Sequence, residues 1–555
     1  MKEKSGLIWL LGFTGVFAVL AAHVFWGTWS PDVAPIMPDT ATTYSTVYGD
    51  TFADWLNGFL SSGKVVPTEV IWSGLSIAPY WLQEFKFALG LFCAALGLAY
   101  FLRGRGLSRL ASFGAGLLLA FCGYWCTLFS AGHGGWFVWM TYGVFAFGLA
   151  DRAVRFGRLR HWLLLGLDVS WAGFQQPDLW LLFSTFTAIY VIWCCVRERK
   201  FPWKGALIAL AAFSLVGLPN FEDTVQNALK GRIEQVSRGE NVTQKDGDET
   251  AKRWEFVTNW SMPAEDTLEF FVPRVHGDTS CPFVLSINGR QGVKPYTGAL
   301  GRPMHAKEGN YRQHSLYVGF VTCILALLGV VFACFQLKTS KPQNLKTSKP
   351  QNLKTLHSDL FFFLVAAILC WLFSMGRYCE PAYRIIFALP FGDLIRCPVK
   401  WHHLTELCLA VLAGYGIEAL AARLGQLGRA GRFAPWIVGA VVLLGAFDLA
   451  TEAHRFCAPV NVGPARRMNA SMQMTILPRQ QFQDPQVAAM VRAGRIVSIA
   501  NYLGNPDYFV VGVLTPCKPG KGTAADPVAI GLGCVSLLSV FGILFLAGKR
   551  SDWIV

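Results

Sequence analysis

The feature that most constrains this chain is its series of apolar runs, each close to twenty residues long and separated by polar breaks. The first, "LIWLLGFTGVFAVLAAHVFW", covers 7–26, and the last, "PVAIGLGCVSLLSVFGILFLA", covers 527–547. A helix rises about 1.5 Å per residue, so a run of this length crosses the ~30 Å hydrocarbon layer of a bilayer. In lipid each backbone N–H and C=O must find its partner within the protein, and a helix does this within one segment. Twelve spans are expected: 7–26, 85–102, 110–130, 134–150, 161–176, 179–196, 205–221, 315–336, 359–375, 401–421, 433–451 and 527–547. Composition agrees, with 53% hydrophobic and only 15% charged residues, where a soluble chain carries roughly a quarter charged. The expected fold class is an all-α polytopic membrane protein of about twelve transmembrane helices.

The net charge of +14 does not point to nucleic acid, because of where it lies. Basic residues cluster in short breaks: Arg103, Arg105 and Arg109; Arg152, Arg155, Arg158 and Arg160; Arg197, Arg199, Lys200 and Lys204; Arg423, Arg429 and Arg432. This is the asymmetry that sets membrane orientation. With the N-terminus inside, all these clusters and the tail "GKRSDWIV" fall on the cytoplasmic side, so both termini are expected there. The run after "MKEKSG" is read as a retained signal anchor, since no convincing small-residue cleavage site follows it. Segments 27–84, 222–314 and 452–526, with the shorter 376–400, then lie on the outer side. The expected organisation is a membrane core over 1–451, which includes outer loops 27–84 and 222–314. A cytoplasmic linker over 337–358, an outer segment over 452–526 and a last span with its tail over 527–555 complete it. The linker holds a tandem eight-residue repeat, "LKTSKPQNLKTSKPQNLKT", whose polar, Pro-bearing composition suits a solvated connection.

Most of the fifteen cysteines lie within apolar runs, where a thiol behaves as a small hydrophobe. Cys379 with Cys397, or Cys457 with Cys517, offers a pairing in an oxidising compartment. No CxxC occurs, which argues against a zinc or thioredoxin-like site. Asn241, Asn259 and Asn469 each begin an N-glycosylation pattern, which matters only in a secretory host.

Four aspartates, Asp32, Asp39, Asp50 and Asp54, follow the first span within about 25 residues. Carboxylates at a membrane surface bind a cation or take a proton, or are merely solvated. Asp168 lies within an expected span, and burial there is costly. His402 and Glu406, four apart with His403 between them, share a helix face. That face reads as a hydrogen-bonded polar cluster at a helix mouth, because two ligands fall short of the three or four that a metal needs. "GRYCEPAYRIIFALPFGDLIRCPVK" carries Arg377, Arg384, Arg396 and Lys400 on the outer side, with Pro381, Pro390 and Pro398 to interrupt a long helix. A short re-entrant or interfacial helix is expected, with cations that suit a lipid phosphate. In loop 222–314, "RWEFVTNWSMPAEDTLEFFVPRVHG" mixes aromatic and acidic residues, as a sugar cleft or a packed cap does.

In their order, the acidic first loop, the Gly132-His133 hinge, "AGFQQPDLW", "WEFVTNWSMPAEDTLEFFVP", "YVGFVTCILALLG" and the long stretch from Gly376 to Leu420 resemble the bacterial YfhO-like membrane proteins. These are related to the GT-C class of glycosyltransferases, and the likeness runs from about residue 7 to 450. The resemblance implies a multi-pass enzyme of the bacterial cytoplasmic membrane that takes a sugar from a polyprenyl-phosphate donor to an extracytoplasmic acceptor. It implies Asp39 as base or metal ligand, with Asp50 or Asp54 as its helper, and leaves open a divalent cation such as Mg or Mn. The leaving lipid phosphate needs a fixed cation, for which Arg396 stands first, then Arg377, Arg384 and Lys400. His133, Gln176, His402 and His403 are expected to line the site. A single displacement inverts the anomeric centre. A transporter or an inactive assembly factor for lipid-linked glycans is the non-enzymatic alternative. No phosphate-cradling Gly-rich loop precedes a helix, so a nucleotide-sugar donor is not indicated.

Overall fold

The structure, a computed structural model, describes residues 2–28, 32–35, 42–43, 56, 59–61, 63, 85–131, 134–173, 177–219, 246–277, 282–289, 315–338, 353–389, 392, 395, 397–468, 470–502, 504–516 and 525–548. Asp39, Asp50, Asp54, His133, Gln176, Arg396, Cys281, Cys517, Asn241, Asn469 and the tandem repeat lie outside these residues.

The body is a helix bundle. In chain order its elements are α1 (Lys2–Val24), β1 (Val33–Pro35), β2 (Thr42–Thr43), α2 (Phe85–Gly104), α3 (Arg109–Phe121), α4 (Gly123–Cys126), α5 (Gly134–Phe156), α6 (Leu159–Ala172) and α7 (Pro177–Glu198). Then follow α8 (Trp203–Pro219), α9 (Asp246–Val257), α10 (Pro282–Ile287), α11 (Phe320–Lys338), α12 (Leu353–Ser374), α13 (Glu380–Phe387), α14 (His402–Gly425) and α15 (Ala434–His454). The chain closes with β3 (Pro459–Asn461), β4 (Ala470–Pro478), α16 (Pro485–Arg492), β5 (Ile496–Tyr502), β6 (Asn505–Pro516) and α17 (Pro527–Gly548).

Six described helices are long and apolar enough to cross a bilayer: Gly6–Val24, Phe87–Gly104, Asp178–Glu198, Pro398–Gly425, Gly428–His454 and Pro527–Gly548. Two bent pairs raise the count to eight, Arg109–Phe121 with Gly123–Ser130 at 60° and Ser358–Ser374 with Gly376–Phe387 at 114°. The protein is thus a helical, multi-pass membrane protein. Several of the twelve expected runs fall short as single spans. α6 has 14 residues and reaches only about 21 Å. Residues 315–319 are not helical: Gly319 takes a left-handed φ of 97°, and the Tyr317 carbonyl accepts a bond from the Gly123 N–H.

The strongest helix pairings are α2 with α5 and α11 with α14. In the second pair Gly329 faces the backbone of Leu412, and Gly416 faces that of Leu325 and Gly329. Small residues at a helix crossing let backbones approach closely in lipid, where dispersion rather than water expulsion drives association.

At one end of the bundle the four long loop segments meet. β1 pairs antiparallel with β3, Val33 opposite Asn461. β2 adds to a four-stranded sheet of order β2-β4-β6-β5, with Thr42 opposite Met472 and Met472 opposite Leu514. α10 packs on β5, and Asn288 donates to the carbonyls of Arg455 and Cys457. The 376–400 segment joins through Cys397 N–H to Val257 and Val399 N–H to Trp260. This sheet is an addition to the expected all-α fold, since it makes the 452–526 segment largely β.

The opposite end holds a buried ion network. Asp151 accepts from Arg105 at 2.8 Å and Arg155 at 2.9 Å, with Arg197 at 3.5 Å. Asp359 pairs with both Arg105 and Arg197. The expectation of simple loop cations is corrected for these three arginines, because they tie α2, α5, α7 and α12 together. Cys379 carries a free thiol, so the Cys379–Cys397 bridge is not formed.

Candidate functional site

α3 and α4 break at Cys122, which leaves the first N–H groups of α4 without helical acceptors. In a bilayer such groups need protein partners. Tyr124 N–H donates to Glu406 Oε1 at 3.1 Å, so Glu406 on α14 caps the elbow. His402 lies one turn before it, with Nε2 at 3.4 Å from the same oxygen. His402, His403 and Glu406 are fully buried. Among the described residues, the ring nitrogens of both histidines and Glu406 Oε2 make no hydrogen bond. His402 and Glu406 share one helix face as a close pair rather than as the expected hydrogen-bonded cluster, and His403 points into a separate aromatic shell. Its ring lies 4.2 Å from Tyr124, 5.1 Å from Trp136 and 5.3 Å from Trp125, and Trp125 Nε1 donates to its carbonyl.

Lys400 enters from the turn Pro398–Trp401, which precedes α14. It pairs with Asp178 at the start of α7, and its Nζ sits 5.5 Å over Trp136. Trp136 thus connects the Lys400–Asp178 pair to His403. Gly376 takes a φ of 50° against Ser261 and Pro398, where a Cβ would collide with both. That contact seats the segment carrying Lys400 on loop residues 258–261.

Arg377 acts as a clamp. Its guanidinium donates to the carbonyls of Glu255 and Thr258 and to Asn259 Oδ1 at 2.9–3.1 Å. Arg384, on the short α13, is exposed, pairs with Glu380 and lies 4.7 Å over Trp254. Of the four expected phosphate cations, then, Arg377 joins loops, Arg384 and Lys400 have carboxylate partners, and Arg396 is outside the described residues. Asp168 stands on α6, which packs chiefly against α5 and α17, and its Oδ2 makes no hydrogen bond among the described residues.

Beside the His402–Glu406 couple lies an apolar groove of about 390 Å³ between α11, α12 and α14. Ile324, Leu327, Ile368, Trp371, Leu409 and Leu412 line it. Ile324, Leu327 and Ile368 are also exposed on the outer surface of the bundle, so the groove opens sideways towards lipid. The 3₁₀ turn Ala264–Phe270 forms its lintel, held to α12 by the bond from Trp371 Nε1 to Thr267. Phe270 and Thr405 form its inner wall, and the Phe270 ring packs on His402 at 4.5 Å.

Sequence reasoning missed Phe270, Asp178, Tyr124 and Trp136. Asp178 was within sight, in the "QQPD" break before an apolar run, where a carboxylate favours the first turn of a helix. Phe270 carried no signal of its own, because one aromatic among several in "LEFFVP" does not say which faces a groove. Among the described residues no group of three or more His, Cys, Asp or Glu is placed to hold a metal ion. Comparison of the chain with protein-family models, with curated proteins and with solved structures finds no match.

Proposed function

We propose that the protein is an integral membrane glycosyltransferase of GT-C-like architecture, with twelve crossings. It moves a sugar from a polyprenyl-phosphate carrier to an acceptor glycan, cell-wall polymer or lipid on the outer face of a bacterial cytoplasmic membrane. The observation that carries this reading is the lipid-open groove, which ends against a buried polar cluster under the end where four loop segments meet. A water-soluble substrate has no use for an apolar entrance within the membrane. A lipid-linked one needs a place for its chain next to polar groups that handle its head.

In this reading Asp39 takes the proton of the acceptor hydroxyl as oxygen attacks C1 and the C1–O bond to the carrier phosphate breaks. Asp50 or Asp54 assists. Arg396 meets the charge that develops on the leaving phosphate, with Lys400, paired to Asp178, as a reserve cation. The outcome is inversion. A divalent cation such as Mg or Mn finds its donors among Asp39, Asp50 and Asp54, and would neutralise phosphate charge when bound. The non-enzymatic reading, a transporter or assembly factor for lipid-linked glycans, draws on the unbonded buried atoms of His402, His403 and Glu406, since ionisable groups inside a bundle also mark transport paths.

The test is to reconstitute the chain with a panel of polyprenyl-phosphate sugars and follow release of the carrier phosphate. Turnover by wild type, lost in Asp39→Asn, is the expected result. Equal turnover by the two moves the base to Asp50 or Asp54. A product of retained configuration refutes single displacement, and transbilayer movement of the lipid without turnover supports the transporter.

A further inference from the structure

Phe270 separates two environments that are otherwise in contact. One face of its ring lines the apolar groove, and the other packs on the His402 ring at 4.5 Å. Behind it, His402 is fully buried, and among the described residues neither of its ring nitrogens makes a hydrogen bond, with Nε2 standing 3.4 Å from Glu406 Oε1. A buried polar atom without a partner is costly, so such atoms in a membrane core ask for an occupant that is sometimes present. Each neutral imidazole offers one N–H donor and one acceptor nitrogen. Glu406 is held by the Tyr124 N–H and lies on the same face as His402, which fixes that ring's direction.

The lintel is held on both sides, by one side-chain bond and one contact to its backbone. Trp371 bonds to Thr267 from α12, and the Cys323 thiol approaches the Phe270 carbonyl from α11 at 3.8 Å. The Phe270 side chain is therefore the part able to move while the lintel stays.

We propose that Phe270 is a swinging partition, and that the phosphate of a polyprenyl lipid whose chain lies in the groove is received by His402 when the ring turns aside. The proposal rests on the transferase reading for the identity of the lipid. The groove is continuous with the lipid-facing surface of α11 and α12 through Ile324, Leu327 and Ile368, so its occupant comes from the bilayer. The His402 imidazole behind Phe270 selects a lipid whose head accepts hydrogen bonds, which a phosphate does and a bare hydrocarbon does not.

The experiment compares binding of polyprenyl phosphate and of the corresponding polyprenol to the full chain in lipid nanodiscs. Wild type should prefer the phosphate. His402→Gln should cut that preference roughly tenfold or more, the scale of a hydrogen bond to a charged group, with polyprenol binding unchanged as proof of folding. Leu327→Trp, which fills the groove from its exposed side, should weaken both ligands alike. Phe270→Trp should slow association of the phosphate more than that of the polyprenol. An unchanged phosphate preference in His402→Gln overturns the proposal. If that happens while sugar transfer persists, the transferase reading survives alone. If the preference falls as expected in a protein that transfers no sugar, the lipid-phosphate site stands and the transferase reading fails.

Discussion

The close crossing of α11 and α14 gives a sharp test of what holds the groove in shape. A Cβ added at Gly416 would sit 2.7 Å from the carbonyl carbon of Leu325 and 3.2 Å from the nitrogen of Gly329, and would overlap the Leu325 carbonyl oxygen. Favourable carbon contacts lie at about 3.5–4.0 Å, so the helices must part by roughly 1 Å, and a gap of that size forfeits about a quarter to a half of the dispersion energy of each contact. Overpacking of this kind costs about 1–3 kcal/mol. Against it stands the gain of about 1 kcal/mol that alanine brings over glycine within a helix. Gly439 on α15 supplies the control, since its added Cβ meets only Leu110 at 3.8 Å, an ordinary contact. Gly439→Ala therefore collects the propensity gain without the clash. The difference between the two variants isolates packing, and Gly416→Ala should be the less stable by about 1–3 kcal/mol. Reversible unfolding in mixed micelles, followed by circular dichroism against denaturing detergent, reads that difference. Equal midpoints for the two variants would refute the argument. The same substitution should loosen the groove, because Leu327 on α11 and Leu409 and Leu412 on α14 line it.

Three further outcomes can be stated. Asp359→Asn leaves Arg105 and Arg197 buried with one carboxylate fewer and should cost about 3–5 kcal/mol, whereas Glu380→Gln, which frees only exposed Arg384, should cost less than about 1 kcal/mol; unfolding midpoints separate the two. Glu406→Leu strands the Tyr124 N–H at the α3–α4 break and should cost about 1–3 kcal/mol, while Glu406→Gln keeps an acceptor there and should recover most of it, measured the same way. Cysteines placed together at 33 and 461, opposite each other in the β1–β3 ladder, should form a disulfide under mild oxidant, seen as a linked peptide by mass spectrometry, and failure to link would dispute the joining of the first loop to the 452–526 segment.

How much of this was readable from the chain depends on whether the responsible interaction is local. Apolar runs are local, and each long described helix falls on one. The face shared by His402 and Glu406 is local too, since helical periodicity places residues four apart side by side. The arginines show the other case. Arg105 and Arg197 read as loop cations because each sits in a basic break, and their partners Asp151 and Asp359 lie in other parts of the sequence. Only the packing of α2, α5, α7 and α12 brings them together, and it changes their meaning from orientation signal to structural tie, whereas Arg155 meets Asp151 within one turn of α5. The sheet was more readable than the expected all-α class allowed. "RIVSIANYLGNPDYFVVGVLTP" contains two β-branched and aromatic runs around Leu503-Gly504-Asn505, a hairpin pattern that the search for twenty-residue apolar runs passes over.

The candidate site combines both kinds of information. Its polar half follows from residue type and spacing along α14. Its apolar half is a gap between three helices, and no spacing rule predicts a gap. Phe270 belongs to neither half, and it matters because it touches both. A residue of that kind can be named only after the lintel Ala264–Phe270 has been laid across α11 and α12. Function in a membrane protein of this type depends on where lipid meets buried polarity. In this chain that meeting point is one phenyl ring thick, so the variants at position 270 discriminate most directly between a sealed structural core and a site that a lipid head enters.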